Sequence, residues 1–310
     1  MNKIIIGSIV LVIIIAGAVI ISRPKETPTE VVKAGRDTIA FNSNRDGNLD
    51  IWLMNKDGSG LVQLTKNQGE ENLGPQWNGD KSKIIFTSTR DGGNHELYIM
   101  NADGSNQQRL TNTPEEEIWP SLSTDTRYAF FARGPKGGNH DIWRLDLVTN
   151  EELQITNTPG ADELESFVNP QLTNVVYTSD RAASGIYNCF LANLDGSGVV
   201  QLTNSPVTQD HCMFNTDGDR ISFARENPED ATDWQIWSMN ADGSNQSMVV
   251  TQAAILNDCA KWNHDDSAIV FESTTDFDLQ GDIYSYNVAT QELVNLTPNT
   301  PDVVDLHPVW

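Results

Sequence analysis

Three residues whose side chains bind transition metals stand at the same position in three consecutive stretches of the chain. They are His211, Cys259 and His307, and aspartates lie close by at Asp210, Asp258 and Asp305. Imidazole, thiolate and carboxylate groups together form a donor set that suits a transition metal. If the fold brings these stretches together, we expect a metal site with His211, Cys259 and His307 as its ligands. If the side chains do not converge, the three residues have no common role.

Carboxylates recur on the segments that lead into this position. The full set is Glu70, Glu71, Glu115, Glu116, Glu117, Asp162, Glu163, Asp210, Asp258 and Asp305. Such residues arranged around one axis would form a ring of negative charge at the mouth of a channel. A crowd of oxygen ligands suits calcium, and a negative ring suits a basic partner. The alternative is that these residues are solvated loop acids without a ligand.

The sequence lacks the motifs of two common reactive sites. It contains no GxSxG nucleophile elbow and no CxxC pair of the kind found in structural zinc sites. Three cysteines, Cys189, Cys212 and Cys259, are too few and odd in number for a disulfide framework. We therefore assign no catalytic residue and require no cofactor, and we expect a binding protein rather than an enzyme.

A repeat of about 45 residues positions all of these candidates. One aromatic residue follows a small apolar strand in each unit: Phe41, Phe86, Phe131, Tyr177, Phe223 and Phe271. A second aromatic residue marks the next strand: Trp52, Tyr98, Trp143, Phe190, Trp237 and Tyr284. A residue pair closes each unit: Leu64-Thr65, Leu110-Thr111, Ile155-Thr156, Leu202-Thr203, Val250-Thr251 and Leu296-Thr297. Because three markers keep one period, the chain consists of six copies of one unit.

Within each unit, apolar and polar residues alternate as they do in β-strands, for example in IIFTS and ELYIMN. Asp-Gly pairs at 57–58, 103–104, 195–196 and 242–243 join two such runs, and this pair favours tight hairpins. Four short antiparallel strands in a unit of this length are typical of a propeller blade. We therefore predict an all-β, six-bladed β-propeller over residues 37–310.

The two ends of the repeat predict how the ring closes. An apolar residue marks the innermost strand of each blade: Trp77, Leu122, Val168, Phe214, Trp262 and Trp310. The first unit begins at Ile39 without an innermost strand, and the last residues supply an innermost strand with no blade after it. We expect this C-terminal strand to complete the first blade, because closure removes the open edges of the ring.

The N-terminal segment predicts a membrane anchor. After a short tail at 1–3, residues 4–22 contain no charge, which is long enough for one transmembrane helix. The run is longer than that of a cleavable signal peptide, which favours an uncleaved anchor. Residues 23–36 are polar and contain proline, and they read as a linker. Flanking charges alone do not decide the orientation.

Charge narrows the range of partners. The chain has 43 acidic and 20 basic residues, for a formal net charge of −23. Such a surface repels nucleic acids and anionic lipids, so we expect no nucleic-acid binding. It favours divalent cations or a basic partner surface, although the charge could equally serve solubility alone.

The repeat KIIFTSTRDGGNHELYIMNADGSNQQRLTNTP closely resembles that of TolB-like propellers, most specifically in its SxRDG and MNADGS segments. The resemblance covers all six units, from about Ile39 to Trp310. It implies a WD-like repeat domain outside the cytoplasm that binds a protein or peptide, and we expect a monomer. Two features depart from TolB, which has an additional α/β domain and a cleaved signal. The expected location is therefore membrane-anchored and extracytoplasmic, either periplasmic or at the cell surface.

A different function stays open at this point. Some TolB-like propellers are similar to oligogalacturonate lyases, so a metal-dependent polysaccharide lyase or hydrolase working at the channel mouth is the alternative. Similar propellers also precede the hydrolase domain of prolyl-oligopeptidase-type peptidases. The acidic mouth argues against an anionic sugar unless a metal intervenes.

Overall fold

The structure is a computed structural model that describes residues 34–66, 71–250, 256–274, 281–298 and 302–310. The tail at 1–3, the anchor predicted for residues 4–22, most of the linker and Glu70 lie outside the described residues. Across the described ranges, no helix is both long enough and apolar enough to cross a bilayer.

The described part of the chain folds into six four-stranded antiparallel sheets, each of which is one blade. Blade 1 contains β1 (Thr38–Ser43), β2 (Asp50–Asn55), β3 (Val62–Gln63) and β24 (Asp305–Val309). Blade 2 contains β4 (Asn72–Trp77), β5 (Lys83–Ser88), β6 (Glu96–Asn101) and β7 (Gln108–Arg109). Blade 3 contains β8 (Glu116–Leu122), β9 (Tyr128–Gly134), β10 (Asp141–Asp146) and β11 (Glu152–Gln154).

The remaining three blades follow the same order. Blade 4 contains β12 (Glu163–Val168), β13 (Asn174–Ser179), β14 (Asn188–Asn193) and β15 (Val200–Gln201). Blade 5 contains β16 (Gln209–Phe214), β17 (Arg220–Asn227), β18 (Asp230–Asn240) and β19 (Ser247–Met248). Blade 6 contains β20 (Leu256–Trp262), β21 (Ala268–Thr274), β22 (Gly281–Asn287) and β23 (Leu293–Asn295). The predicted six-bladed, all-β architecture is confirmed for the described residues.

The C-terminal strand closes the ring as predicted. Strand β24 is antiparallel to β1, and Ala40 faces Val309 in the register. Trp310 is 9% exposed and packs in one apolar cluster with Phe41 of blade 1 and Val270 of blade 6. The innermost strands β24, β4, β8, β12, β16 and β20 each contact the next one around the ring. Each blade therefore covers the face of its neighbour, which a single sheet of this size could not do alone.

The recurring aromatic residues of the sequence are cross-strand partners. Phe86 faces Tyr98, and Tyr177 faces Phe190, with ring centroids 5.8 and 6.0 Å apart. The same register holds in the other four blades. Offset aromatic pairs of this kind add stability beyond the burial of their area, so the period seen in the sequence reflects one packing unit.

In the five units where it is described, the closing threonine has a specific hydrogen-bonding role. In blade 1, Thr65 Oγ1 accepts a hydrogen bond from Ile51 N at 2.9 Å and donates one to Asp50 Oδ1 at 2.5 Å. Thr111, Thr156, Thr203 and Thr297 accept the equivalent backbone hydrogen bond in their blades. The threonine thus anchors the connection that leaves the short outermost strand.

Candidate functional site

All six innermost strands contain a bulge at the same position, and this bulge builds the axial site. The register between innermost strand and neighbour shifts there in every blade. One residue per strand adopts a left-handed backbone with φ between 49° and 58°: Gly74, Trp119, Glu165, His211, Cys259 and His307. Bulges re-aim side chains, and non-glycine residues in this conformation persist only where the surrounding structure enforces it.

The six bulge residues meet around one small cavity on the propeller axis. All six line it, and its volume is about 20 Å³, roughly the space of a single water molecule or ion. The expected convergence of His211, Cys259 and His307 therefore has a geometric basis. The three residues lie inside the innermost strands β16, β20 and β24.

Further titratable residues surround this cavity. We call the group formed by Glu165, Asp210, His211, Asp258, Cys259, Glu272 and His307 the waist cluster. Donor atoms of His211, Asp258 and Cys259 all lie within 4.8 Å of one another, and those of Cys259, Glu272 and His307 do so as well. Asp258 is one of the aspartates that the sequence placed beside the metal ligands, whereas Glu165 and Glu272 were not predicted. Glu165 could have been found by counting, since each bulge residue stands three positions before the apolar marker of its strand.

His211 is the most crowded member of the waist cluster. Its Nδ1 lies 2.7 Å from Asp258 Oδ1 and its Nε2 lies 3.0 Å from Glu165 Oε1. Neither contact has the direction of a hydrogen bond, so both ring nitrogens are buried without a hydrogen-bond partner among the described residues. The edge of Trp119 packs against this imidazole and against that of His307, with ring centroids 5.6 and 5.0 Å apart.

Burial and mutual charge set the protonation of the waist cluster. Burial acts to lower the pKa of His211, but the charges of Asp258 and Glu165 raise this pKa well above its ordinary value. Burial lowers the pKa of His307 to about 4, with the nearby His211 acting in the same direction. Burial also raises the pKa of the Cys259 thiol. At neutral pH the cluster therefore combines an ionised histidine with a neutral imidazole and a protonated thiol.

The acidic residues predicted as a ring occupy two kinds of place. Glu71, Glu115 and Asp162 precede the innermost strands, whereas Glu116, Glu117, Glu163, Asp210, Asp258 and Asp305 lie within them. Glu117, Glu163 and Asp305 are 0%, 0% and 2% exposed, so their interpretation as solvated loop acids was wrong. Asp210 and Asp258 belong to the waist cluster instead.

Arginines explain why the buried acids are tolerated. Arg45 Nη2 donates to Asp305 Oδ1 at 2.7 Å, Arg133 Nε donates to Glu117 Oε1 at 2.8 Å, and Arg181 pairs with Glu163. Buried carboxylates are stable only when they are paired and hydrogen-bonded. In blades 1 and 4 the arginine comes from an SxR segment, Ser43-Asn44-Arg45 and Ser179-Asp180-Arg181, which is the sequence signal for these pairs.

A second pocket opens where the innermost strands end. Its volume is about 210 Å³, and all six innermost strands contribute to it through their last residues. We call it the tryptophan mouth, since Trp77, Trp262 and Trp310 line it. Its charged or titratable lining residues are Lys81, Lys261 and His264, and none of the acidic residues that the structure describes lines it.

The two lysines of the tryptophan mouth differ in their partners. Lys81 Nζ donates to the carbonyl oxygens of Arg36 and Thr38 at 2.7 and 3.1 Å. Lys261 Nζ has one long contact, 3.5 Å from Gln76 Oε1, and lies over the Phe167 ring at 5.1 Å. Burial lowers the pKa of both lysines to about 8. No carboxylate among the described residues pairs with Lys261, although the chain carries a net charge of −23.

Two further features of the structure escaped the sequence analysis. Cys189 of β14 and Cys212 of β16 form a disulfide with a Cα–Cα distance of 6.0 Å, which joins blade 4 to blade 5. His140 is buried, and its Nδ1 lies 3.0 Å from Asp162 Oδ1. The cysteines are 23 residues apart in sequence, and only the stacking of blades brings them together.

Comparison with solved structures places the fold among known propellers. TolB from Acinetobacter baumannii is 17% identical with a TM-score of 0.74, over 88% of this chain and 66% of that one. Hydrazine synthase from Kuenenia stuttgartiensis is 14% identical with a TM-score of 0.70, over 90% and 47%. An oligogalacturonate lyase from Vibrio parahaemolyticus is 16% identical with a TM-score of 0.58, over 84% and 74%. The chain thus spans less than two thirds of the first two proteins, and these likenesses show the fold alone.

The family follows from the sequence itself. A search of curated proteins found no match. The family model described as the TolB beta propeller domain matches residues 32–188, just over half of the chain. This chain therefore belongs to the TolB β-propeller domain family.

Proposed function

We propose that this chain is a membrane-tethered, extracytoplasmic binding module that accepts an acidic segment of a protein or peptide in the tryptophan mouth. The observation that carries this proposal is Lys261, a half-buried cation without a carboxylate partner among the described residues, in a chain rich in acids. An unpaired buried charge is costly and is stabilised by an opposite charge from a ligand.

The lining of the tryptophan mouth favours the same ligand class. The indole Nε1–H groups of Trp77, Trp262 and Trp310 are buried without an acceptor among the described residues. Buried donors of this kind are normally satisfied, and a carboxylate offers several acceptor positions at once. Tryptophan residues are also enriched at the energetic centre of interfaces.

The size of the pocket favours part of a larger partner over a free small molecule. Its volume of about 210 Å³ lies below the roughly 300–1,000 Å³ of most small-molecule sites. One acidic side chain or one chain terminus of a bound protein would fill it. The acidic residues at the other end of the axis largely pair with arginine and histidine. Fewer carboxylates are therefore left for a basic partner than the number of acidic residues suggests.

The cellular location of this module is part of the proposal. The apolar segment 4–22 would anchor the module in the membrane. The Cys189–Cys212 disulfide favours a location outside the cytoplasm, because disulfides persist in oxidising compartments.

Selection of peptides on the full-length protein tests the ligand class. A random peptide library is selected against the wild type, and the affinities of the winners are measured for the wild type and for Lys261→Met. We expect negatively charged winners and an affinity loss of about tenfold or more in Lys261→Met, since hydrogen bonds to charged groups contribute about 1.5–3 kcal/mol.

The matched control is Lys66→Met, which removes an exposed lysine of blade 1 and should leave the affinities unchanged. Neutral or basic winners, or equal affinities for the wild type and Lys261→Met, contradict the proposal. Removal of a costly buried charge does not threaten the fold, so a binding loss in Lys261→Met is not a folding defect.

The waist cluster favours a second candidate function, a metal-dependent lyase or hydrolase acting on a polysaccharide. The histidine, cysteine and carboxylate donors support it, but the cavity that they line, about 20 Å³, has no room for a sugar ring. Loss of turnover on oligosaccharides in His211→Ala together with His307→Ala would support catalysis, and absence of any turnover by the wild type would exclude it.

A further inference from the structure

The waist cluster concentrates ligand types that proteins use for transition metals. Cys259 is 3% exposed and carries the free thiol of the described residues, because Cys189 and Cys212 are bonded to each other. The buried His211 and the partly exposed Asp258 offer their ligand atoms to the same point. Thiolate, imidazole and carboxylate are the three ligand types that zinc takes in proteins.

The spacing of these atoms matches a metal site that needs only small adjustments. The ligand atoms of His211, Asp258 and Cys259 lie within 4.8 Å of one another. A tetrahedral zinc ion with bonds of about 2.0–2.3 Å holds its ligand atoms somewhat closer together than this. Modest rotamer changes of side chains that already face one another would close that difference.

The hydrogen bonding of His211 is a second and independent observation. Its imidazole is 7% exposed, yet neither ring nitrogen has a hydrogen-bond partner among the described residues. A buried polar side chain without an aligned hydrogen bond is costly, and the carboxylates of Asp258 and Glu165 at 2.7 and 3.0 Å provide ion-pair contacts instead. A role as a metal ligand would satisfy the His211 imidazole. One ring nitrogen gives its lone pair to the metal ion, and the other donates a hydrogen bond to a carboxylate.

We propose that His211, Asp258 and Cys259 bind one zinc ion, or a divalent ion of similar chemistry, at the waist of the propeller. His211 and Cys259 both line the cavity of about 20 Å³, so the fourth ligand position faces this cavity. Water or His307 can fill it. Binding releases two protons to solvent, one from the Cys259 thiol and one from the His211 imidazolium, so that a thiolate and a neutral imidazole bind the metal without any redox change.

Glu272 and His307 form the outer side of the site. The Glu272 carboxylate accepts a hydrogen bond from the backbone N–H of His307, which orients the segment that carries the imidazole. Partners that hold ligand-bearing segments in place tune metal affinity in known sites. Calcium does not fit the donors, because it takes oxygen ligands almost exclusively.

Cobalt titration of the full-length, chelator-treated protein tests this site without an activity assay. Co²⁺ bound to a thiolate gives a near-ultraviolet charge-transfer band, and the buried free thiol at Cys259 is the expected source. We expect this band to saturate at one equivalent of Co²⁺ and to disappear when Zn²⁺ is added.

Three variants assign the ligands. Cys259→Ser should abolish the band, and His211→Gln should weaken zinc binding by at least about tenfold, as loss of supporting residues alone costs 10–100-fold in known sites. His264→Gln replaces an exposed histidine and should change neither. Absence of the band in the wild type, or equal zinc affinity in Cys259→Ser, overturns the proposal. If a variant fails to fold, the wild-type spectrum alone decides.

Discussion

Arginine residues determine how the blades carry buried charge. The Arg45 guanidinium lies 5.1 Å from the Trp52 ring centroid, and the Arg181 guanidinium lies 4.9 Å from that of Phe190. From there each reaches the first acid of an innermost strand, Asp305 or Glu163. Guanidinium groups combine stacking with directed hydrogen bonds to carboxylates, which lysine cannot do. Much of the acidity near the axis is thus internal structure.

Glu117 is the acid whose burial should be visible as a pH effect. Its Oε1 accepts from Arg133, while its Oε2 is buried without a hydrogen-bond partner among the described residues. Burial, together with the neighbouring Glu96 carboxylate, raises the pKa of Glu117 to about 7 from an ordinary 4.5. The folded state therefore binds the proton of the Glu117 carboxyl more tightly than the unfolded state does. The stability that this proton contributes to the folded state is lost as the pH rises from about 4.5 through 7.

We expect Glu117→Gln to remove this pH dependence. The free energies of unfolding of the variant and the wild type are measured in urea from pH 5 to 8. The difference between them should change in favour of the variant by on the order of 1 kcal/mol as the pH rises. Glu151→Gln, which replaces an exposed acid of blade 3, should show no such trend. A constant difference between Glu117→Gln and wild type across this range would mean that Glu117 is ionised throughout.

At the scale of the element, the Asp-Gly turns dock four of the six blades (1, 2, 4 and 5) onto the blade before them. A Cβ added to Gly196 in blade 4 would lie 2.2 Å from the carbonyl oxygen of Ile155 in blade 3. Gly58, Gly104 and Gly243 meet the closing pair of the preceding blade in the same way. The hairpin glycine is thus required by the contact between blades as well as by its own φ of 81°.

Alanine substitution of two glycines of blade 4 separates the cost of the left-handed backbone from the cost of overlap with the preceding blade. Gly185 has a φ of 76° but no atom within 4 Å of an added Cβ, so Gly185→Ala should lower the free energy of unfolding by about 1–2 kcal/mol from backbone strain alone. Gly196→Ala should cost about 1–3 kcal/mol more because of the overlap with Ile155. Chemical denaturation measures both, and equal losses would show that the turn does not bear on the preceding blade.

Period and polarity were enough to predict the blades but not the bulges. The markers Phe86 and Tyr98 could be read as strand residues because cross-strand packing requires the same residue type in every copy. The bulge position carries Gly74, Trp119 and Glu165 in blades 2 to 4, with no shared chemistry, since each side chain faces the axis rather than a repeated neighbour. The predicted donor set therefore included His211, Cys259 and His307 with the nearby Asp258, but it omitted Glu165 and Glu272.

The burial of the acidic residues could not be predicted for a similar reason. Glu163 and Asp305 appear in the sequence as polar residues at the approach to a strand, and exposure is the usual fate of such residues. Their burial depends on arginines from neighbouring strands of the same blade, Arg181 and Arg45, which no local pattern connects to them.

On the scale of the whole molecule, the ring separates two chemistries along one axis. The innermost strands run parallel around it, so their first residues form an acid-rich end and their last residues form the tryptophan mouth. The waist cluster lies between the two ends, where every strand bulges. The tryptophan mouth draws residues from β24 and is complete only if the ring is closed, whereas the proposed zinc site lies between β16 and β20, with His307 of β24 beside it.

Hydrogen exchange of the C-terminal segment tests that closure most directly. If β24 pairs with β1, the amides of 305–310 in the native full-length protein should be protected from exchange as strongly as those of β4, the innermost strand of blade 2. Peptide-resolved mass spectrometry reads both segments in a single experiment. Exchange of 305–310 at the rate of an unstructured peptide, with β4 still protected, would show an open ring and contradict the account.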